Sequence, residues 1–199
     1  MGDETTTHEA TVMMKFKANT RRDLPRIAEK LQLSRDQLTD MRAVSAVLPF
    51  RVNDYVIENL IDPKSIPNDP IFQLTFPQRG MLEEIDFQRM RDLVTKGASE
   101  SEIKLAADKI RGQLNPHPAG QMQLNVPSLG GEVVGGMQHK YQETVLFFPS
   151  QGQTCHAYCS YCFRWAQFVG DADLKFASRE ADQLVNYVRD NPQVSSVLF

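Results

Sequence analysis

Cysteine is scarce in this chain of 199 residues: there are three, and no fourth. An odd count, with no secretory leader in view, fits a disulfide-built extracellular scaffold poorly and argues for a reducing compartment. Long apolar runs are missing too, and no segment approaches the ~18 residues of a membrane span. Charge of one sign is not in excess. The 22 Lys and Arg stand against 25 Asp and Glu for a net −3, and the basic residues are scattered rather than gathered in a stripe, which gives no basis for a nucleic-acid partner. The sequence shows no repeat and no low-complexity tract. The start Met1-Gly2-Asp3-Glu4 is too acidic for a signal or transit peptide, so the cytoplasm is the expected location.

The few cysteines are not spread out. All three fall in one eight-residue stretch, Cys155-His156-Ala157-Tyr158-Cys159-Ser160-Tyr161-Cys162. Ordinary iron-sulfur clusters take four cysteine thiolates, so three would leave one iron open to a substrate or cofactor. Two plainer readings stay open beside this one. The cysteines can be buried apolar side chains that cluster by chance. They can also form a Cys3His zinc site, with His156 or His139 as fourth ligand, although zinc sites usually show two separated ligand pairs rather than one compact triplet. His139, before the first strand, and His117, in Asn115-Pro116-His117-Pro118, have no partner carboxylate at a meaningful spacing and are assigned no acid-base role, and His8 falls in the tail expected to be disordered.

The flanks place the cysteines. Thr144-Val145-Leu146-Phe147-Phe148-Pro149 reads as a buried strand, and the cysteines follow it as a loop. Ser178 can cap a helix whose apolar residues Ala181, Leu184, Val185 and Val188 recur at helical intervals up to Asn191-Pro192. Val194 to Phe199 reads as a second buried strand. Strand, cysteine loop, helix and strand make one βαβ unit, with the loop at the carboxyl end of its first strand, where barrel enzymes build their sites.

Upstream the chain reads as helical. Ser34 with Gln37, and Ser99 with Glu102, are spaced as capping boxes. The first precedes an apolar face of Leu38, Met41, Val44, Val47 and Leu48; the second precedes Ile103, Ala106, Ala107 and Ile110. A short helix is expected over 53–61, and another over about 83–95 with Leu82, Ile85, Met90 and Leu93 facing the core. The proline-rich region from Ile61 to Pro77 is expected to be irregular, and the segment from Asn115 to Gly136 to mark a boundary. The expected organisation is a disordered tail over 1–20, a helical region over 21–114, a linker over 115–138 and a second part over 139–199.

On these residues the chain resembles the lysine 2,3-aminomutase family of radical S-adenosylmethionine proteins. The C-x3-C-x2-C spacing is that superfamily's cluster motif. His139-Lys140-Tyr141 leading into Val145-Leu146-Phe147, Tyr161-Cys162-Phe163-Arg164, Phe50-Arg51-Val52-Asn53-Asp54-Tyr55 and Pro67-Asn68-Asp69-Pro70-Ile71 are similar to the aminomutase branch. The resemblance implies an α/β fold in which a helical amino-terminal region precedes the first βαβ unit of an incomplete radical S-adenosylmethionine barrel of partial TIM type. It implies Cys155, Cys159 and Cys162 as ligands of a 4Fe-4S cluster, Tyr161 on the adenine side of S-adenosylmethionine, and Arg164 against a substrate carboxylate. Where the family continues with basic residues this chain has Trp165-Ala166-Gln167-Phe168.

The implied activity is migration of an amino group between the α and β carbons of an amino acid, with an electron donor such as flavodoxin or ferredoxin. Pyridoxal phosphate is implied by the resemblance alone, because the lysine that would bind it is not found here. A different radical reaction on the same scaffold stays open, as does a homo-oligomer. The barrel-like part stops after two strands, so the chain is expected to be the amino-terminal piece of a longer protein and inactive by itself.

Overall fold

The computed structural model describes residues 17–114, 123–150, 155, 157–159, 178 and 181–199. The tail expected at 1–20 lies outside these residues up to position 16. Ala18–Asn19 forms β1, paired antiparallel with β2, Val52–Asn53. Asn19 is fully buried; its Nδ2 donates to the Asp54 carboxylate at 2.9 Å and its Oδ1 accepts from Arg26 at 2.7 Å.

Six α-helices follow one another in this part: α1 (Leu24–Lys30), α2 (Arg35–Val47), α3 (Asp54–Asn59), α4 (Pro70–Thr75), α5 (Glu84–Thr95) and α6 (Glu100–Leu114). Side-chain caps decide several of their starts. Ser34 and Gln37 exchange hydrogen bonds at α2, as do Ser99 and Glu102 at α6. Asn53 accepts from Val56 N at 2.9 Å and so opens α3.

Helices α2, α5 and α6 close around Val44, Val47, Phe87, Met90, Ala107 and Ile110, each at most 1% exposed. Burying the Val, Phe, Met and Ile side chains among these supplies about 1.5–3 kcal/mol each relative to exposure. Polar contacts fix how the helices sit: Arg91 on α5 donates to Asp36 and Asp40 on α2 at 2.7 and 2.8 Å. Arg111 on α6 donates to the carbonyls of Ala46 and Val47 at 2.9 and 2.8 Å, satisfying acceptors that the end of α2 leaves open. The expected face of α5 is corrected at one position, since Ile85 is 81% exposed while Phe87 takes the buried place.

A second core joins α1 to α4. Leu24, Ile27, Phe50, Val52, Phe72 and Phe76 are its centre, with Phe72 and Phe76 stacked at 4.6 Å and Phe50 tilted against Phe76 at 5.3 Å. The region that the prolines suggest is irregular therefore contains α4. Its Pro70 stands at the first helical turn, where a missing N–H costs nothing, and Asp69 caps it.

Beyond 122, a hairpin of β3 (Ser128–Leu129) and β4 (Glu132–Val133) turns through Gly130 and Gly131, both at positive φ. A three-stranded sheet follows in the order β5 (Met137–Tyr141), β6 (Thr144–Phe147), β7 (Ser196–Leu198). β5 runs antiparallel to β6, whereas β7 is parallel to it, with Thr144, Val145 and Leu146 opposite Ser196, Val197 and Leu198. The parallel pair is joined through α7 (Ala181–Asp190), which makes the βαβ unit.

Two expectations about this unit are corrected. β6 is buried on one face only, through Val145 and Phe147, and in β7 Leu198 is 55% exposed because β7 lies at the sheet's edge among the described residues. On α7 the packed residues are Leu184, Tyr187 and Val188, while Val185 is exposed. The described residues form a mixed α/β structure without a closed barrel. None of their helices is long and apolar enough to cross a membrane.

Candidate functional site

β6 delivers the cysteine loop. Its end is continued by a parallel bridge between Pro149 and Ser178, in which Ser178 N donates to the Phe148 carbonyl at 2.8 Å and Ser150 N donates to the Ser178 carbonyl at 2.7 Å. The loop therefore leaves and returns at one place at the carboxyl end of the strand. Residues 179 and 180, just before α7, lie outside the described residues, and with them the capping contact expected of Ser178.

Two of the three cysteines lie in the described part. Cys155 is half-buried and its thiol donates to the Ala157 carbonyl at 3.0 Å; Cys159 is exposed; both are free thiols. Tyr158 stands between them. Its hydroxyl oxygen is buried and has no hydrogen-bond partner among the described residues, which is costly for a polar group. Burial pushes that hydroxyl well above the usual tyrosine range, and the nearby Cys155 adds to the shift. The amide of Tyr158 donates to the carbonyl of Leu74 in α4 at 2.8 Å, so the loop is tied to the helical part of the chain.

Cys162, Tyr161, Arg164 and His156 lie outside the described residues, as do Trp165 to Phe168 and His117. His139 is described and sits on β5. Its Nδ1 is 2.6 Å from the Tyr187 hydroxyl and its Nε2 is 3.2 Å from the Gln142 carbonyl. Both ring nitrogens are thus engaged, which argues against His139 as a zinc ligand. Among the described residues no group of three or more His, Cys, Asp or Glu is gathered as a metal site.

The described part of the motif fits a thiolate-bound group through its donors. Two thiols free of any disulfide lie four positions apart, with a buried hydroxyl between them that has no partner among the described residues. Tyr158 and Leu74 carry no signal in the sequence that marks them for this site. The Asp69-Pro70 pair, a capping residue before a first-turn proline, is the available signal for α4.

Against known proteins, 70 residues are 32% identical to the L-lysine 2,3-aminomutase of Acetoanaerobium sticklandii, 35% of this chain and 16% of that protein. A second match, to the L-lysine 2,3-aminomutase of Clostridium subterminale, is 34% identical over 66 residues, 33% of this chain and 15% of that protein. Part of this chain is similar to lysine 2,3-aminomutases. The similarity spans about a sixth of the length of these relatives. No family model matches the chain, and no solved structure matches it significantly.

Proposed function

We propose that this chain carries the cluster-binding part of a radical S-adenosylmethionine enzyme of the aminomutase kind. The observation that carries the reading is the C-x3-C-x2-C run at the carboxyl end of β6 in a βαβ unit; the partial similarity to lysine 2,3-aminomutases supports it.

In this reading Cys155, Cys159 and Cys162 hold a 4Fe-4S cluster as thiolates. The cluster would supply a single electron to S-adenosylmethionine bound at its open iron. Cys155 gives up its hydrogen bond to Ala157 when it loses its proton, which frees its sulfur for a metal. The exposure of Cys159 leaves its sulfur accessible from outside the fold. Tyr158 stays protonated and keeps a donor in the loop. Tyr161 would pack on the adenine. Arg164 would pair with an amino acid's carboxylate, a role suited to a bidentate guanidinium. The reaction proposed is amino migration between α and β carbons, with pyridoxal phosphate brought in by likeness alone.

Iron and sulfide content after anaerobic reconstitution tests the ligand set. Cys155→Ala, Cys159→Ala and Cys162→Ala should each fail to assemble the cluster. A full iron complement in all three variants would sink the reading. One zinc and no sulfide in purified protein would replace it with a Cys3His module.

A further inference from the structure

Helix α4 is the least expected element of the chain, and its place suggests what it does. At six residues it is too short to hold itself together in water, so its geometry is set by its ends and by what it packs on. At its start the buried Asp69 accepts from Phe72 N at 2.7 Å and from Asp62 N at 3.1 Å, which joins the helix to the turn after α3. Phe72 and Phe76 anchor one side of it in the second core. At its other end the Leu74 carbonyl, which has no partner within so short a helix, accepts from the amide of Tyr158. That amide lies between Cys155 and Cys159.

We propose that α4 is the positioning element of the cysteine loop: Asp69 fixes where the Leu74 carbonyl stands, and that carbonyl fixes the backbone between the two thiols. The inference rests on the function proposed above. A loop held at its midpoint presents both sulfurs with less ordering left to be done when a metal group binds. The Pro67-Asn68-Asp69-Pro70-Ile71 segment thereby acquires a purpose, since its cap and first-turn proline make a helix that ends where the loop needs an acceptor.

The test uses the whole chain, reconstituted anaerobically with iron and sulfide, and two readouts: the rate of iron loss to a chelator and hydrogen exchange at the Tyr158 amide. Asp69→Ala should lose iron about tenfold faster, the range in which partners behind metal ligands act, and should expose the Tyr158 amide while leaving α6 protected. Asp69→Asn keeps an oxygen for Phe72 N and should recover most of both. Ser99→Ala removes a comparable cap from α6 and should lose iron at the unaltered rate.

Wild-type iron loss and exchange in Asp69→Ala would overturn the proposal, as would a Ser99→Ala protein that is equally labile. If Asp69→Ala does not fold, a Tyr158 amide that exchanges freely in the unaltered protein overturns it instead. Failure of the unaltered chain to take up iron would defeat the proposed function. The exchange at Tyr158 would then still report separately whether α4 holds the loop.

Discussion

The Nδ1 of His139 lies 2.6 Å from the hydroxyl of Tyr187, and this contact ties β5 to α7 across the sheet. The Gln142 carbonyl can only accept, so Nε2 of His139 carries the proton and Nδ1 receives the Tyr187 O–H. The two rings meet edge to face at 5.6 Å. Replacing Tyr187 with Phe keeps the ring and leaves Nδ1 without its donor. Tyr187→Phe should destabilise the fold by about 1–2 kcal/mol, seen as a lower urea midpoint at unchanged slope. An unmoved midpoint would mean that water replaces the bond at no cost.

The second core makes a sharper demand. Phe76 is fully buried between Phe72 and Phe50, at the end of α4. Phe76→Ala should cost about 3–5 kcal/mol. Ile85→Ala, at a position 81% exposed, should stay within about 0.5 kcal/mol. Thermal unfolding of the two variants side by side checks both values, and a large loss at Ile85 would contradict the packing of α5.

Acid should act through Asp54. Its carboxyl is held below the usual aspartate value chiefly by the hydrogen bond from Asn19, with Arg26 adding to it. A carboxylate whose folded pKa is lowered contributes stability that is present above its unfolded value, near 3.8, and is lost as pH falls through the folded one. The urea midpoint should therefore drop on going from about pH 5 to about pH 2, and drop less in Asp54→Asn. Parallel curves for the two proteins would show that Asp54 has no part in the acid response.

Local chemistry is the most legible layer of this sequence. The Ser34–Gln37 and Ser99–Glu102 pairs form because the groups that bond are three residues apart in any fold. The βαβ unit is equally readable, since an apolar run, an amphipathic helix and a second apolar run allow few arrangements. Errors enter where a pattern fixes the element but not its rotation. Ile85 and Val185 have helical spacing yet face outward, because neighbouring Phe87 and Tyr187 bury more area.

Proline and glycine mislead in another way. Pro70 has the look of a breaker, but at the first helical turn it favours the helix, and Gly130-Gly131 turns a hairpin not expected from the sequence. For the site itself, the cysteine spacing is legible and the Leu74–Tyr158 bond is not. Both of its atoms belong to the main chain, which every residue shares.

The proposed function requires three thiolates that hold a cluster with one iron open to S-adenosylmethionine. Electron paramagnetic resonance of the anaerobically reconstituted, reduced protein, with and without S-adenosylmethionine, tests it most directly. The predicted result is a reduced-cluster signal that changes when S-adenosylmethionine is added. Protein that forms no reducible cluster, and instead holds one zinc and no sulfide, would contradict it.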